Sequence, residues 1–335
     1  MNKDINDRLE EEIKDDKIHD SKISRCNGLL ERFALKKDNN KKVLAQSVTK
    51  IDGPFYCYKC LSEVVVRKCT EKVDHFAHYA RQSPILTAKN RELHDNCRDI
   101  LLSHLQDSFP SGNWETERLI QGNKQKGTKD VVPDISGRID GIPIAIEIQR
   151  SPYTINRIFD KMVEYHKRKV AVLYIVPLRE ELGEEPFRPR LYEKYLHSIY
   201  YGRIYYWDNN CNDYLLPVHF SPAVRWIEES TWFDVELGDY RTAGGCWVPY
   251  KTIKQPNCGK RIKISIDFVR EIRAQFTPNN VKKMIPESTI YKDKLDKWWN
   301  KKEYSNIQEK INNLNPILKS NDFGEYEYLD EYDDE

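Results

Sequence analysis

Residues 131–149 run Val-Val-Pro-Asp134-Ile-Ser-Gly-Arg-Ile-Asp140-Gly141-Ile-Pro-Ile-Ala-Ile-Glu147-Ile-Gln149. Asp-Gly between alternating apolar residues is the strongest short-range signal for a two-residue β-hairpin, because both turn residues must take a positive φ. With Asp140 and Gly141 as the turn, Ile139 faces Ile142, Ile135 faces Ile146, Asp134 faces Glu147 and Val132 faces Gln149. Side chains alternate along a strand. One face then carries Val131, Pro133, Ile135, Ile139, Ile142, Ile144, Ile146 and Ile148, which is a core surface. The other carries Asp134, Ser136, Ala145, Glu147 and Gln149. Directly opposed carboxylates have Cβ atoms roughly 5 Å apart and repel unless something positive sits between them. Two hard oxygen ligands suit Mg²⁺ or Mn²⁺. A cation there can activate water and offset the charge of a phosphodiester transition state. The alternative is that an Arg or Lys pairs with one carboxylate and the site is only structural. Asp140 belongs to the turn, not to the metal.

The flanking sequence gives the hairpin a setting. Residues 88–108 read as a helix with Leu93, Cys97, Ile100, Leu101, His104 and Leu105 on one face. Three strand-like runs follow, 113–120, 130–139 and 143–149. Thr154 can cap a helix over 155–168, with Ile155, Ile158, Phe159 and Met162 apolar. That helix projects Arg157, Lys161 and Tyr165 as one stripe at four-residue spacing. The stripe can approach phosphates beside a metal, or be a solvated helix face. Residues 169–177, KVAVLYIVP, are a buried-type strand. The resulting order is α-β-β-β-α-β.

Upstream, residues 31–50 read as two strands around Asp38-Asn39-Asn40. Then come Cys57-Tyr-Lys-Cys60 and His75-Phe-Ala-His78, with Val64-Val65-Val66 between them as a strand. Two close pairs across a loop supply the four nitrogen and sulfur donors that Zn²⁺ takes in a tetrahedron. The H-x2-H spacing is tighter than in a DNA-reading ββα finger. Four protein ligands make the expected role structural. Cys69, inside the loop, can replace one histidine or be a small core residue. The alternative for the whole group is two buried cysteines and two unrelated surface histidines.

Charge is unevenly spread over the 335 residues. The net charge is +1, yet residues 322–335 hold eight acids and no base, and residues 1–25 carry −2. The body between them is therefore +11. A basic body suits a polyanion such as nucleic acid, and equally a solvated surface with a disordered acidic tail. The alternative for the tail is that it lies over the basic groove when DNA is absent. No run approaches 18 apolar residues, and residues 1–16 lack an apolar signal region. The expectation is a cytoplasmic chain whose eight cysteines are reduced.

Other motifs read more plainly. Gly122 to Lys129 ends in Thr128-Lys129, not Lys-Thr, and reads as a polar hairpin connection, not a phosphate loop. His197 and His219 read as packed or exposed residues. Trp298-Trp299 reads as packing on the body, with base stacking the alternative.

Glu147-Ile-Gln149-Arg-Ser151-Pro152, followed by Arg157, Lys161, Tyr165 and VLYIV, resembles the pattern of the competence protein CoiA-like proteins. These are assigned to the PD-(D/E)xK nuclease superfamily. Asp134 falls where that family has its first metal-binding Asp. Cys57, Cys60, His75 and His78, within YCYKC and HFAHYA, are similar to its N-terminal zinc motif. His94 falls on a family histidine. The resemblance covers about residues 31–180. It implies a metal-dependent DNA nuclease or DNA-processing factor in which Asp134 and Glu147 hold the metal, with the Ile148 carbonyl as a further ligand. Leu93 stands where the family places an acid before its histidine; Glu92 is one position off and is a secondary candidate. Gln149 stands where the superfamily has Lys. It can orient water but supplies no charge, and Lys161 is placed to take over that job.

The expected fold is α+β: a restriction-endonuclease-like core over 84–180, a zinc-binding β module over 31–83 and a β-rich extension over 181–275. A charged arm or helix over 1–30 precedes these. A lysine-rich segment, helical in part over 276–318, and the acidic tail complete residues 276–335. The expected function is Mg²⁺- or Mn²⁺-dependent cleavage of DNA, with Asp134, Glu147, Gln149 and Lys161 catalytic and Arg157 and Tyr165 on the nucleic acid. The alternative is a non-catalytic DNA-binding module. Expected partners are DNA and proteins of recombination or defence, and no membrane.

Overall fold

The computed structural model describes residue 14 and residues 32–37, 41–69, 73–85, 91–149, 155–209, 211–227, 229–234 and 238–299. The expected N-terminal arm, the Thr154 cap, Ser151-Pro152, the stretch past 299 and the acidic tail lie outside the described residues.

The chain first builds a five-stranded antiparallel sheet. Its strands are β1 (Phe33–Lys36), β2 (Lys42–Leu44), β3 (Phe55–Tyr56), β4 (Glu63–Arg67) and β5 (His75–His78), in the order β2-β1-β3-β4-β5. Ala34, Phe55, Val64, Val66 and Phe76 bury one face as a small core of their own. The Phe55 and Phe76 rings meet edge to face at 5.1 Å. Chain 81–85 docks this sheet on the body: Arg188 N–H donates to Arg81 C=O at 2.7 Å and Arg179 N–H to Pro84 C=O at 2.8 Å. Ser83 Oγ–H donates to the fully buried Glu193 at 2.6 Å.

Next come α1 (Arg91–Ser108), β6 (Glu115–Thr116), β7 (Ile135–Ile139), β8 (Ile142–Ile148), α2 (Ile155–Lys167) and β9 (Ala171–Pro177). The sequential order α-β-β-β-α-β is therefore present, although the first strand is short. Strands β7 and β8 are antiparallel, and β8 and β9 are parallel. A parallel neighbour needs a crossover, and α2 supplies it. Every residue of β9 is buried, as suits a central strand covered on both faces.

The sheet does not end at residue 180. Helix α3 (Leu191–Ile199) leads into β10 (Ile204–Trp207), which joins β9 in parallel, and β11 (Tyr214–Ile227) and β14 (Cys246–Cys258) continue the same sheet. At the far end, β12 (Ser230–Asp234) and β13 (Asp239–Ala243) form a separate hairpin. The order across the large sheet is β14-β11-β10-β9-β8-β7-β6. Off that path, β15 (Ile262–Lys263) pairs β11, the short α4 (Ile264–Asp267) follows, and β16 (Phe268–Arg273) pairs β17 (Ser288–Asp293). The fold is mixed α+β and rich in sheet. Helix was expected after residue 276, and the described part instead holds strand β17. Its Ile290 pairs Val172 on the β9 edge that β10 leaves open, and a buried sheet slot overrides the local lysine content.

His197 and His219, each read singly as a packed or exposed residue, meet at α3: His197 Nε2 lies 3.3 Å from His219 Nδ1. His219 shares a 2.7 Å bond with the Gly202 carbonyl, and Phe220 N–H donates to His197 Nε2 at 3.1 Å. Trp299 stacks on His219 at 4.1 Å, so the tryptophan pair packs on the body as expected. Burial pushes His219 down to about 3 and His197 well below its ordinary value. Both are thus neutral when folded and titrate near 6.5 when unfolded. The unfolded chain gains protons that the folded chain refuses, so stability falls as pH drops below about 6.5. The urea midpoint is expected to decrease between about pH 7 and pH 5. A His197→Gln/His219→Gln variant should start lower and lose less; an equal loss would refute the assignment.

Candidate active site and metal centre

The hairpin has the register its sequence predicts: Ile135 pairs Ile146, Ser136 pairs Ala145 and Ile139 pairs Ile142. Asp140 and Gly141 take φ values of 49° and 79°. Both lie in the left-handed region that a two-residue hairpin turn requires. One part of the expectation changes. Ser136 and Ala145, on the face expected to be polar, are buried with the isoleucines. Only the open end of the hairpin, at Asp134, Glu147 and Gln149, gives onto a cleft.

That cleft has a volume of about 360 Å³ and is lined by Asp134, Glu147, Ile148, Gln149, Arg157 and Lys161, with His94, Asp95, Glu117 and Val132. Asp134 sits just before β7, and its Oδ2 accepts the Ile148 N–H at 2.7 Å. Its Oδ1 lies 3.6 Å from His94 Nε2. Glu147 is buried, and Lys161 Nζ donates to its two oxygens at 2.6 and 2.8 Å. Lys161 also reaches the Val132 carbonyl at 3.2 Å. Burial pushes the Glu147 carboxyl up to about 7; Lys161 opposes this and Asp134 adds to it. Four carboxyl groups and two cationic side chains line the cleft, and Arg98 bridges two of the four, Asp95 and Glu117.

The predicted stripe of α2 faces this cleft, but its members divide the work differently. Arg157 and Lys161 line it. Tyr165, expected on nucleic acid, is fully buried, and its hydroxyl donates to Glu147 Oε1. Burial beside Glu147 pushes the phenol far up, so it remains a donor. A side chain with no exposed surface cannot meet a phosphate, and Tyr165 instead fixes the rotamer of Glu147. Glu92 is exposed and is not among the lining residues; the helix presents His94 and Asp95. Asp95 and Glu117 were missed by sequence. Arg98 joins them, at 3.2 Å and 3.4 Å. The i,i+3 spacing of Asp95 and Arg98 was the one visible sign.

In the small sheet, Cys57, Cys60 and His78 bring one donor atom each within 4.8 Å of one another. Among the described residues this is the only group of three or more His, Cys, Asp or Glu so placed. The local cause is a tight turn: Leu61 N–H donates to Cys57 C=O at 2.8 Å, Cys57 N–H to Ser62 C=O at 2.8 Å, and Leu61 takes φ 59°. His78 Nε2 lies 3.3 Å from Cys60 Sγ. Two thiols and an imidazole are donors that zinc accepts, so the group could hold a metal such as zinc. His75 is not in the group. It and His78 stand three apart in β5, and an odd separation in a strand points side chains to opposite faces. His78 lies opposite the buried Val64, whereas His75 lies opposite Arg67. His75 Nδ1 is 3.0 Å from the Val73 carbonyl and 3.8 Å from Cys69 Sγ.

Residues 36–84 match the family model described as competence protein CoiA, N-terminal domain. The match takes in β2–β5 and the cysteine and histidine pairs, and it supports the CoiA-like resemblance. A search of curated proteins and a search of solved structures each found no match to the chain.

Proposed function

We propose that the chain is a divalent-metal-dependent deoxyribonuclease or DNA-processing enzyme with a restriction-endonuclease-like core, acting in competence-type DNA handling. The observation that carries the reading is the meeting of Asp134 and Glu147 in one acid-rich cleft beside Lys161 and Arg157. Asp134 and Glu147 would hold Mg²⁺ or Mn²⁺, whose chemistry when bound is to activate water and stabilise phosphodiester charge. The donor set fits: two carboxylates that repel each other, one of them held near neutrality by burial. Lys161 Nζ bonds Glu147 and, were Glu147 to hold a cation instead, would turn its ammonium to a phosphate oxygen. Arg157, exposed at the rim, offers a bidentate fork to the next phosphate. Gln149 can orient water through its amide but brings no charge. Tyr165 holds the Glu147 carboxylate in place from behind. Zinc on Cys57, Cys60 and His78 would tie the cysteine turn to β5; its structural role then rests on the small core of that sheet, since three protein ligands do not close the coordination shell.

A second reading is a DNA-binding protein with an inert core. The Lys161–Glu147 pair at 2.6 Å favours it, because the buried carboxylate is already satisfied. Branched, single-stranded and duplex DNA incubated with the protein and Mn²⁺, beside Glu147→Ala, separate the two. The enzyme reading expects cleavage by the wild type and at least about 10²-fold less by the variant. Equal traces from both proteins on every substrate overturn it in favour of the second.

A further inference from the structure

Among the described residues, the small core and the metal group account for one of the two faces of the five-stranded sheet. Cross-strand partners share a face. Phe33 pairs Leu44, and Leu35 pairs both Lys42 and Tyr56, so these five side chains lie together on the face away from Ala34, Phe55 and Val64. Phe33 and Leu44 are 37% and 42% exposed. Tyr58, in the turn between the two cysteines, is 38% exposed and adjoins this face. Lys42 Nζ stands 4.4 Å from the centre of the Phe33 ring and 4.9 Å from that of Tyr58. Lys59 Nζ is 5.5 Å from the Tyr58 ring. Two partly exposed aromatic rings thus flank a lysine on this face of the sheet. The charge is one-sided: residues 32–60 hold seven basic and two acidic side chains. One of those acids, Asp52, is engaged with Thr49, whose backbone N–H donates to it at 2.7 Å.

We propose that this outer face is a binding platform for single-stranded nucleic acid, with Phe33 and Tyr58 stacking bases and Lys42 and Lys59 meeting phosphates. Base–aromatic stacking needs unpaired bases, because a duplex hides their faces, and a positive surface tracks the backbone without reading sequence. An apolar protein partner would not select for the cation between the rings, and an acidic peptide would leave the rings without a role. The platform extends the nuclease reading by giving the strand a holding surface outside the cleft, and it is tested separately from cleavage.

The test is fluorescence anisotropy of labelled oligo-dT and oligo-U with the full chain, without added Mg²⁺ or Mn²⁺. Phe33→Ala/Tyr58→Ala is expected to weaken binding by at least about 30-fold, the lower bound for two lost stacks at about 1 kcal/mol each. Lys42→Gln should lower the slope of log affinity against log salt by about one. Equal losses on DNA and RNA mean that the sugar is not read; a loss on one alone assigns the strand type. Zinc content and thermal midpoint equal to wild type establish that the variants are folded, as expected at exposed positions. Phe33→Tyr, which keeps a stacking ring, provides a second check by retaining affinity. Unchanged affinity in both the aromatic and the lysine variants, with zinc retained, overturns the proposal. Absence of cleavage would overturn the nuclease reading and leave this one intact.

Discussion

Replacing Glu147 with glutamine is expected to stabilise the protein and, on the nuclease reading, to remove cleavage at the same time. The two effects have one cause. Glu147 is buried among Tyr165, Lys161 and the strands of the sheet, and its carboxyl is pushed up to about 7. At pH 8 the folded protein must bury a charge that the unfolded chain leaves in water. The sign follows from proton binding. A carboxyl with a folded value near 7 and an unfolded value near 4.5 binds its proton more tightly when folded. Stability from this group is therefore present at low pH and is lost as pH rises through about 7. Glutamine has nearly the same shape, still accepts the Tyr165 hydroxyl and carries no charge. Above pH 7 the variant should gain on the order of 1–2 kcal/mol, less than the raised carboxyl alone implies because Lys161 loses its partner. Cleavage should fall by about 10²- to 10³-fold, the cost of removing one preorganised charged group. Thermal unfolding at pH 6 and pH 8, beside a DNA cleavage assay, checks both. A variant that is less stable at pH 8 than the wild type would show that the Lys161–Glu147 bond outweighs burial.

If Cys57, Cys60 and His78 hold zinc, its removal is expected to have the largest effect on folding. Structural zinc sites in small domains contribute an apparent 10–16 kcal/mol near pH 7. The core that shares the sheet with Cys57 and His78 is small: eight buried residues, several of them alanine, valine or cysteine. Such a core does not hold five short strands unaided. Chelation, or Cys60→Ser, should therefore unfold residues 33–78 while the large sheet persists, read as protease cleavage confined to that region. The two histidines separate the geometries. His78→Ala should lose zinc by elemental analysis, whereas His75→Ala should retain it. Loss of zinc from His75→Ala and retention by His78→Ala would invert the assignment.

The contrast between these histidines illustrates how far sequence reasoning reached. The H-x2-H spacing invites a four-ligand site, and spacing alone cannot say whether the pair sits on a helix, where three residues nearly complete a turn, or on a strand, where they point apart. Pairing with Val64-Val65-Val66 settles the matter, and pairing is a long-range fact. The α2 stripe follows the same logic. Four-residue steps place Arg157, Lys161 and Tyr165 on one side, but how deep each goes depends on how the helix meets the sheet. Tyr165 ends fully buried and Arg157 exposed.

The sequence by itself determined the hairpin register, the α-β-β-β-α-β order and the convergence of Asp134 and Glu147. These follow from local rules: a turn that requires positive φ, a period of two along strands and a period near four on the helix. Only the tertiary structure decided that Ser136 and Ala145 are covered, that β10, β11 and β14 carry the sheet past residue 180, and that residues 288–293 enter as a strand. It also decided that Asp95 and Glu117 join the cleft. These outcomes depend on which surfaces meet across many residues of chain, and burial there overrides local preference.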